Sequence, residues 1–193
     1  MIERKEHPHT AAYAVCMDTL LICHASRDGQ ATRIAERLAR HRCGDAVVLC
    51  DLTRKMPDTA LIAAADAIVV VAAVRYGNHL PEAERFMLAQ REILQCKPVA
   101  IASVNLSARK PGKASPERNA YLRRWLAKHK LKPALATAFA GRLDYPRYRW
   151  FDRLMIRLIM AMSDGPTDPG TVVEYTDWEA VDDFAEAIGR LCR

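Results

Sequence analysis

Residues 66–73 read Asp-Ala-Ile-Val-Val-Val-Ala-Ala, with no polar side chain after the first position. A strand with one wet face alternates polar and apolar residues. A run this continuous is expected where both faces are covered, as in a parallel sheet with helices on each side. Leu20 to Cys23, Asp45 to Asp51 (announced by Gly44), Val99 to Val104 and Leu135 to Gly141 are further runs of this kind. Helical periodicity fills the intervals. Ile34, Ala35, Leu38 and Ala39 step along a first helix, and Pro81 opens another over Glu82 to Leu94. Ser115-Pro116-Glu117 fits a helix start leading into Tyr121, Leu122, Trp125 and Leu126. A last helix, roughly Trp178 to Cys192, carries Val181, Phe184, Ile188 and Leu191 behind an Asp177 cap. Strands alternating with helices predict an α/β, doubly wound, five-stranded parallel sheet in one domain spanning 17–193.

In such sheets a ligand lies beyond the carboxyl ends of the strands. Three loops at that end are unusual: 26–32, 74–79 and 104–118. The first, Ser26-Arg27-Asp28-Gly29-Gln30-Ala31-Thr32, joins a strand to a helix. Free N–H groups and the positive helix end suit an anion there, Ser26 and Thr32 add hydroxyls, Arg27 adds a cation, and Gly29 allows close approach. It is neither a Walker loop nor the three-glycine dinucleotide fingerprint. It resembles the FMN-phosphate loop of flavodoxins, with Asp28 where that pattern has a hydroxyl. An ordinary strand-to-helix turn with an aspartate cap fits the same residues, so this stretch alone leaves both readings open.

The net charge of +6 favours an anionic partner: nucleic acid, anionic lipid, or a carboxylate- or phosphate-bearing ligand. Cys16, Cys23, Cys43, Cys50, Cys96 and Cys192 form no C-x-x-C pair, which reads as a reduced, cytosolic chain with no metal site. Leu61 to Val74, broken by Asp66, is too short to span a bilayer. Residues 1–16 are polar, mixed in charge and expected to be poorly ordered.

One segment interrupts the alternation. Residues 143–170 form an insertion between the fifth strand and the last helix, and its later part reads as a helix. Arg149, Arg153 and Arg157 step by four along one side, while Phe151, Leu154, Met155, Ile156, Leu158, Ile159, Met160 and Met162 fill the rest. Such a helix suits a membrane surface, with arginines at the headgroups. A lid on its own domain, or a dimer contact, fits equally well.

Several blocks together carry a resemblance. Ser26-Arg27-Asp28-Gly29-Gln30, Arg75-Tyr76-Gly77, Ser103-Val104-Asn105-Leu106, Ala108-Arg109-Lys110-Pro111 and above all Tyr145-Pro146-Arg147-Tyr148-Arg149-Trp150 occur in order. So do Asp152-Arg153, Met155-Ile156, Leu158-Ile159-Met160 and Tyr175-Thr176-Asp177-Trp178-Glu179. Over about residues 17 to 190 the chain resembles the flavodoxin-like, menaquinone-dependent protoporphyrinogen oxidases. The resemblance implies a flavodoxin fold with strand order 2-1-3-4-5 and non-covalent FMN. It implies oxidation of protoporphyrinogen IX to protoporphyrin IX in haem biosynthesis, with electrons passed to a membrane quinone. It implies a cytoplasmic protein held at the inner-membrane surface through about 147–162, and no nucleic acid; a homo-oligomer stays open.

Carried over residue by residue, Ser26, Arg27, Asp28, Gly29, Gln30 and Thr32 would hold the FMN phosphate. Val74, Arg75, Tyr76, Gly77 and Asn78, with Ser103, Val104, Asn105 and Leu106, would flank the isoalloxazine. Tyr76 is a candidate to stack on the ring, a surface tyrosine being the plainer reading. Arg109, Lys110, Tyr145, Arg147 and Arg149 are candidates for the substrate and its two propionates, with Arg75 a further one, because arginine matches carboxylate geometry. Asn78-His79-Leu80 departs from the family's histidine-richer stretch, so no role is carried over to His79. No side chain stands out as a general base. Residues 1–16 have no counterpart in the family, so translation is expected to start at Met17; an intact mass that includes Met1 would refute this. An NAD(P)H:quinone reductase on the same fold, or a flavodoxin-type electron carrier, are the competing functions.

Overall fold

The computed structural model describes residues 19–41, 46–161 and 165–191. The expectations for residues 1–16, Met17, Cys16, Cys43, Gly44, Asp45, Met162 and Cys192 lie outside these residues. In chain order the elements begin β1 (Thr19–Ala25), α1 (Gln30–Arg40), β2 (Ala46–Asp51), α2 (Thr59–Ala64), β3 (Ala67–Arg75) and β4 (Asn78–His79). There follow α3 (Pro81–Ala89), α4 (Arg91–Cys96), β5 (Val99–Val104), α5 (Ala120–His129) and β6 (Leu135–Phe139). The chain ends with β7 (Arg142–Asp144), α6 (Trp150–Ala161), β8 (Val172–Glu174) and α7 (Trp178–Gly189).

The sheet runs β2-β1-β3-β5-β6, all parallel. This is the expected 2-1-3-4-5 order, with β4 turning back antiparallel on the end of β3. Strand geometry explains the unbroken apolar run, since successive side chains point to opposite faces. Ile68, Val70 and Ala72 meet Phe86, Met87, Leu122 and Trp125 on one side. Ala67, Val69 and Val71 meet Ile34, Leu38, Val181 and Phe184 on the other. Ile68, Val69, Val70 and Val71 are fully buried, and each contributes about 1.5–3 kcal/mol of hydrophobic stabilisation.

Two helices depart from expectation. The 82–94 helix breaks at Gln90 into α3 and α4. Helix α5 starts at Ala120 and not at Ser115, because Asn119 caps it: its Oδ1 accepts the Leu122 N–H at 3.1 Å. The Asp177 cap is as expected, accepting the Ala180 N–H at 3.1 Å.

The insertion builds its own small layer. Strands β7 and β8 pair antiparallel, and between them Leu143, Tyr145, Tyr148 and Met160 bury against Leu106, Ile156 and Tyr175. Arg153 does not join an outward arginine stripe. Its guanidinium donates to the carbonyls of Tyr145 and Tyr148 at 3.0 and 3.3 Å, tying α6 to the turn before it. Trp150, Phe151, Leu154 and Leu158 face solvent instead. Buried Gln30 ties the start of α1 to β8 and the residues after it, donating to Thr176 Oγ1 at 2.7 Å and Glu174 Oε1 at 3.1 Å. Among the described residues no helix is long and apolar enough to cross a membrane.

Candidate functional site

The carboxyl ends of β1, β3 and β5 open onto a cavity of about 310 Å³. Ser26, Asp28, Gln30 and Ala31 form one end of it, and Val74, Arg75, Tyr76 and Gly77 one flank. Val104, Asn105, Leu106, Arg109 and Lys110 form the other flank, and Tyr148, Ile156 and Ile159 of the insertion close it over. The first helical bond of α1 runs from Arg33 N–H to Gly29 O, which leaves the N–H groups of Gln30, Ala31 and Thr32 without intrahelical acceptors. No side chain caps this helix. The helix therefore presents its positive end at the loop that forms one end of the cavity.

Loop geometry comes from two local devices. Gly29 has φ of 87°, and a side chain there would meet nothing within 4 Å. The glycine serves its backbone angle, which L-residues rarely adopt. Ser26 Oγ accepts the Gly29 N–H at 3.0 Å and closes the turn. Asp28, the residue at odds with a phosphate site, does not cap the helix. Its carboxylate is held by Arg75 at 3.1 Å, and the same guanidinium bonds Asp152 of α6. Arg75 thus joins the loop, the end of β3 and the insertion, and the two carboxylates raise its pKa against the opposing effect of its burial.

Tyr76 and Gly77 have φ of 50° and 81°. They are the central residues of a two-residue hairpin turn between β3 and β4, with Val74 opposite His79 and Arg75 opposite Asn78. A tyrosine in the left-handed region costs free energy, and here it sets a half-exposed ring on the cavity wall.

Other candidates lie elsewhere. Thr32 Oγ1 faces His24 Nδ1 at 3.4 Å, and Asn78 Nδ2 donates to Tyr76 O at 3.4 Å; neither lines the cavity. Ser103 is fully buried, its Oγ bonded by His79 at 2.8 Å and by Asn105 at 3.0 Å. Tyr145 is fully buried with its hydroxyl donating to Pro166 O at 2.8 Å, which makes it a packing residue of the insertion. Arg109 lines the cavity while donating to Leu106 O at 3.0 Å.

Arg27, Arg147 and Arg149 border a second space, an open groove of about 600 Å³ beside the cavity, with Trp150 and Phe151 along it. Arg27 is paired with Glu82 at 2.8 Å. Sequence reasoning missed Tyr148, which lines both spaces, although it stands within the Tyr145–Trp150 block that carried the resemblance. It also missed Ile156 and Ile159 as cavity wall, a matter of which side of α6 turns inward.

His79 is buried beneath this site, stacked on Trp125 with centroids 3.9 Å apart and planes at 15°. Burial pushes its imidazole down to about 3. The folded protein keeps the ring neutral, while the unfolded chain binds a proton below the ordinary value near 6.5. Stability is therefore lost as pH falls from about 6.5 towards about 3, by up to about 1.4 kcal/mol per pH unit from this group. Urea midpoints measured down to pH 4 should fall more steeply for the native chain than for His79→Gln. Parallel curves would show that His79 is not the source.

A family model described as a flavodoxin domain matches residues 21–170. The protein named protoporphyrinogen IX dehydrogenase (quinone) of Escherichia coli strain K12 is 40% identical over 174 residues, covering 89% of this chain and 94% of that protein. The protein of the same name from Leishmania major is 34% identical over 172 residues, covering 89% of this chain and 74% of its own. Oxidised flavodoxin 1 from Bacillus cereus superposes with a TM-score of 0.54 over 90% of this chain and 98% of its own, at 14% identity. That last likeness is one of fold.

Proposed function

The chain belongs to the protoporphyrinogen IX dehydrogenase family and carries its flavodoxin domain, and from that premise we propose that it binds FMN and oxidises protoporphyrinogen IX to protoporphyrin IX, with a membrane quinone as acceptor, in haem biosynthesis. The observation that carries this reading is the cavity at the strand ends, bounded by a helix N-terminus with free N–H donors and closed over by α6.

The residues suit FMN by their chemistry. Gln30, Ala31 and Thr32 offer backbone N–H groups to a phosphate, and Arg75 neutralises the carboxylate of Asp28 that would otherwise repel it. Ala73, Val74, Val104 and Leu106 supply apolar walls for a flat ring, with Tyr76 at the margin. FMN, when bound, would accept two electrons at a time from the porphyrinogen and release them to the quinone. The chain's own part is binding and orientation. Arg147 and Arg149 have exposed guanidinium groups with no ion pair among the described residues, so they can take the substrate's propionates. Arg109 and Lys110 border the cavity from the β5 side. Tyr76 and Tyr148 stand between the cavity and the groove. His79 is no base for the reaction, being bonded to Ser103 and outside the cavity lining. The one proton released beside the hydride in each of the three rounds passes to solvent.

Trp150, 77% exposed, and Phe151 share the groove with Arg147 and Arg149, and Leu154 and Leu158 of the same helix are exposed too. Aromatic and aliphatic side chains beside free arginines match an anionic bilayer, and we assign this face of α6 to the inner-membrane surface.

The test is the protein purified in air. It should be yellow, should raise porphyrin fluorescence from protoporphyrinogen IX faster when a menaquinone analogue is added, and should float with anionic vesicles. A yellow protein inert to porphyrinogen but oxidising NAD(P)H would make it a quinone reductase of the same fold. A colourless protein that takes up no FMN would overturn the reading of loop 26–32.

A further inference from the structure

Asp28, Arg75 and Asp152 come from three places in the fold: the loop before α1, the last residue of β3 and the first turn of α6. Arg75 Nη1 donates to both Asp28 oxygens, at 3.2 and 3.1 Å, and its Nη2 donates to Asp152. The Asp152 side chain is 13% exposed and that of Asp28 49%. The inner carboxylate is therefore the anchor, since a carboxylate so far out of water needs a cation beside it. A guanidinium is planar, so fixing one of its amino groups fixes where the other points. Asp152 thereby aims Nη1 of Arg75 at Asp28.

Asp28 has another place to go. It stands just ahead of Gly29 and Gln30, and no side chain caps the helix that begins there. A free carboxylate at such a position is drawn to the positive helix end and its N–H groups. Those are the same N–H groups of Gln30, Ala31 and Thr32 that suit a phosphate. Asp28 is thus an internal competitor for the anion site, and Arg75 withholds it.

Resting on the proposed function, we propose that Asp152 is a positioning residue for the cofactor phosphate: through Arg75 it holds Asp28 off the N-terminus of α1, and so links the seating of α6 to the phosphate affinity of loop 26–32. Such linkage runs both ways. An anion in the loop repels Asp28 towards Arg75, which favours the guanidinium pose that also receives Asp152, and α6 is held more firmly over the cavity. When α6 lifts, Arg75 loses its anchor, Asp28 loses its restraint, and the loop loses affinity.

Titration of the FMN-free protein with FMN, followed by flavin fluorescence, tests this without turnover. Asp152→Asn should weaken FMN about tenfold, a usual size of coupling between linked sites. Riboflavin, which lacks the phosphate, should bind the native chain and Asp152→Asn within about twofold of each other, because the competitor acts only at the phosphate. With Asp28→Asn already present, Asp152→Asn should change FMN affinity by no more than about twofold, the two effects being coupled through one guanidinium. Arg75→Gln approaches the same cycle from the cation: it should weaken FMN, and adding Asp28→Asn should recover most of the loss. Hydrogen exchange of the α6 amides should slow on FMN binding in the native chain and change little in Asp152→Asn. Equal weakening of FMN and riboflavin, or a loss that persists with Asp28→Asn, would make Asp152 a support of the insertion alone and overturn the proposal, while FMN binding by the native chain would stand. A native chain that takes up no FMN would remove the flavin reading, and this proposal with it.

Discussion

Replacing Arg147 and Arg149 together with alanine should lower kcat/KM for protoporphyrinogen IX by about a hundredfold and leave the flavin content of the purified protein unchanged. Both side chains are exposed on the groove, and no ion pair holds either among the described residues, so their removal orphans no buried charge. A guanidinium–carboxylate hydrogen bond is worth about 1.5–3 kcal/mol where it is shielded. Solvent exposure brings each nearer to 1.4 kcal/mol, a factor of about ten per arginine. Single variants should lose about tenfold each if the two hold different propionates, and the losses should multiply. Lysine replacements should recover part of the loss, because the charge returns without the planar fork. Loss of FMN from the double variant would refute the assignment, since it would put these arginines in the cofactor's support instead of the substrate's.

Asn119→Ala should cost about 3 kcal/mol of folding stability, the largest effect expected from a single polar side chain here. Asn119 is fully buried. Its Oδ1 caps α5, while its Nδ2 donates to Asn105 Oδ1 at 3.1 Å and Lys113 O at 2.9 Å. Asn105 in turn bonds Ser103 Oγ at 3.0 Å and accepts the Ser107 hydroxyl at 2.6 Å and the Ala108 N–H at 3.2 Å. Alanine removes a cap worth about 1 kcal/mol and takes the Nδ2 hydrogen bonds from Asn105 Oδ1 and Lys113 O, worth about 0.5–1.5 kcal/mol each. Asn119→Asp separates the two contributions. It keeps the capping oxygen but loses both donors and brings a carboxylate to the Asn105 and Lys113 oxygens. If Asn119 were only a cap, Asn119→Asp would unfold at the native urea midpoint; as the centre of a network, it should fall with alanine. Because Asn105 and Leu106 line the cavity, the damaged loop should also hold FMN less firmly.

These two sites differ in how far the chain alone announced them. Arg147 and Arg149 stand in a distinctive block, so their candidacy was visible, while the groove that both border was not. Asn119 drew no notice. Its importance comes from Asn105 and Lys113, brought to it by a loop whose course has no periodicity. The same holds for Asp28, which reads as an obstacle to a phosphate until Arg75, 47 residues away, is seen to hold it. Arg27, expected at the phosphate, turns to Glu82 and the groove. Thr32 turns to His24. A helix N-terminus can be located from local sequence, but the rotamers around it answer to neighbours from other strands.

The core strands and the helices between them were legible because burial on both faces of a parallel strand leaves an unbroken apolar run, and helices that cover it leave a 3.6-residue repeat. Both are local patterns written many times over. The hairpin at Tyr76-Gly77, the β7–β8 pair and the inward turn of Ile156 and Ile159 are too short to leave a pattern. The apolar sides of α6 also read alike in sequence, whether a side chain meets Tyr148 or water. By itself the sequence determined the sheet, its order through the family likeness, and the loops that gather at its carboxyl edge. Only the tertiary structure decided which side chains meet across those loops, because ion pairs, caps and cavity walls are contacts between distant segments and the local periodicity of a chain carries no record of them.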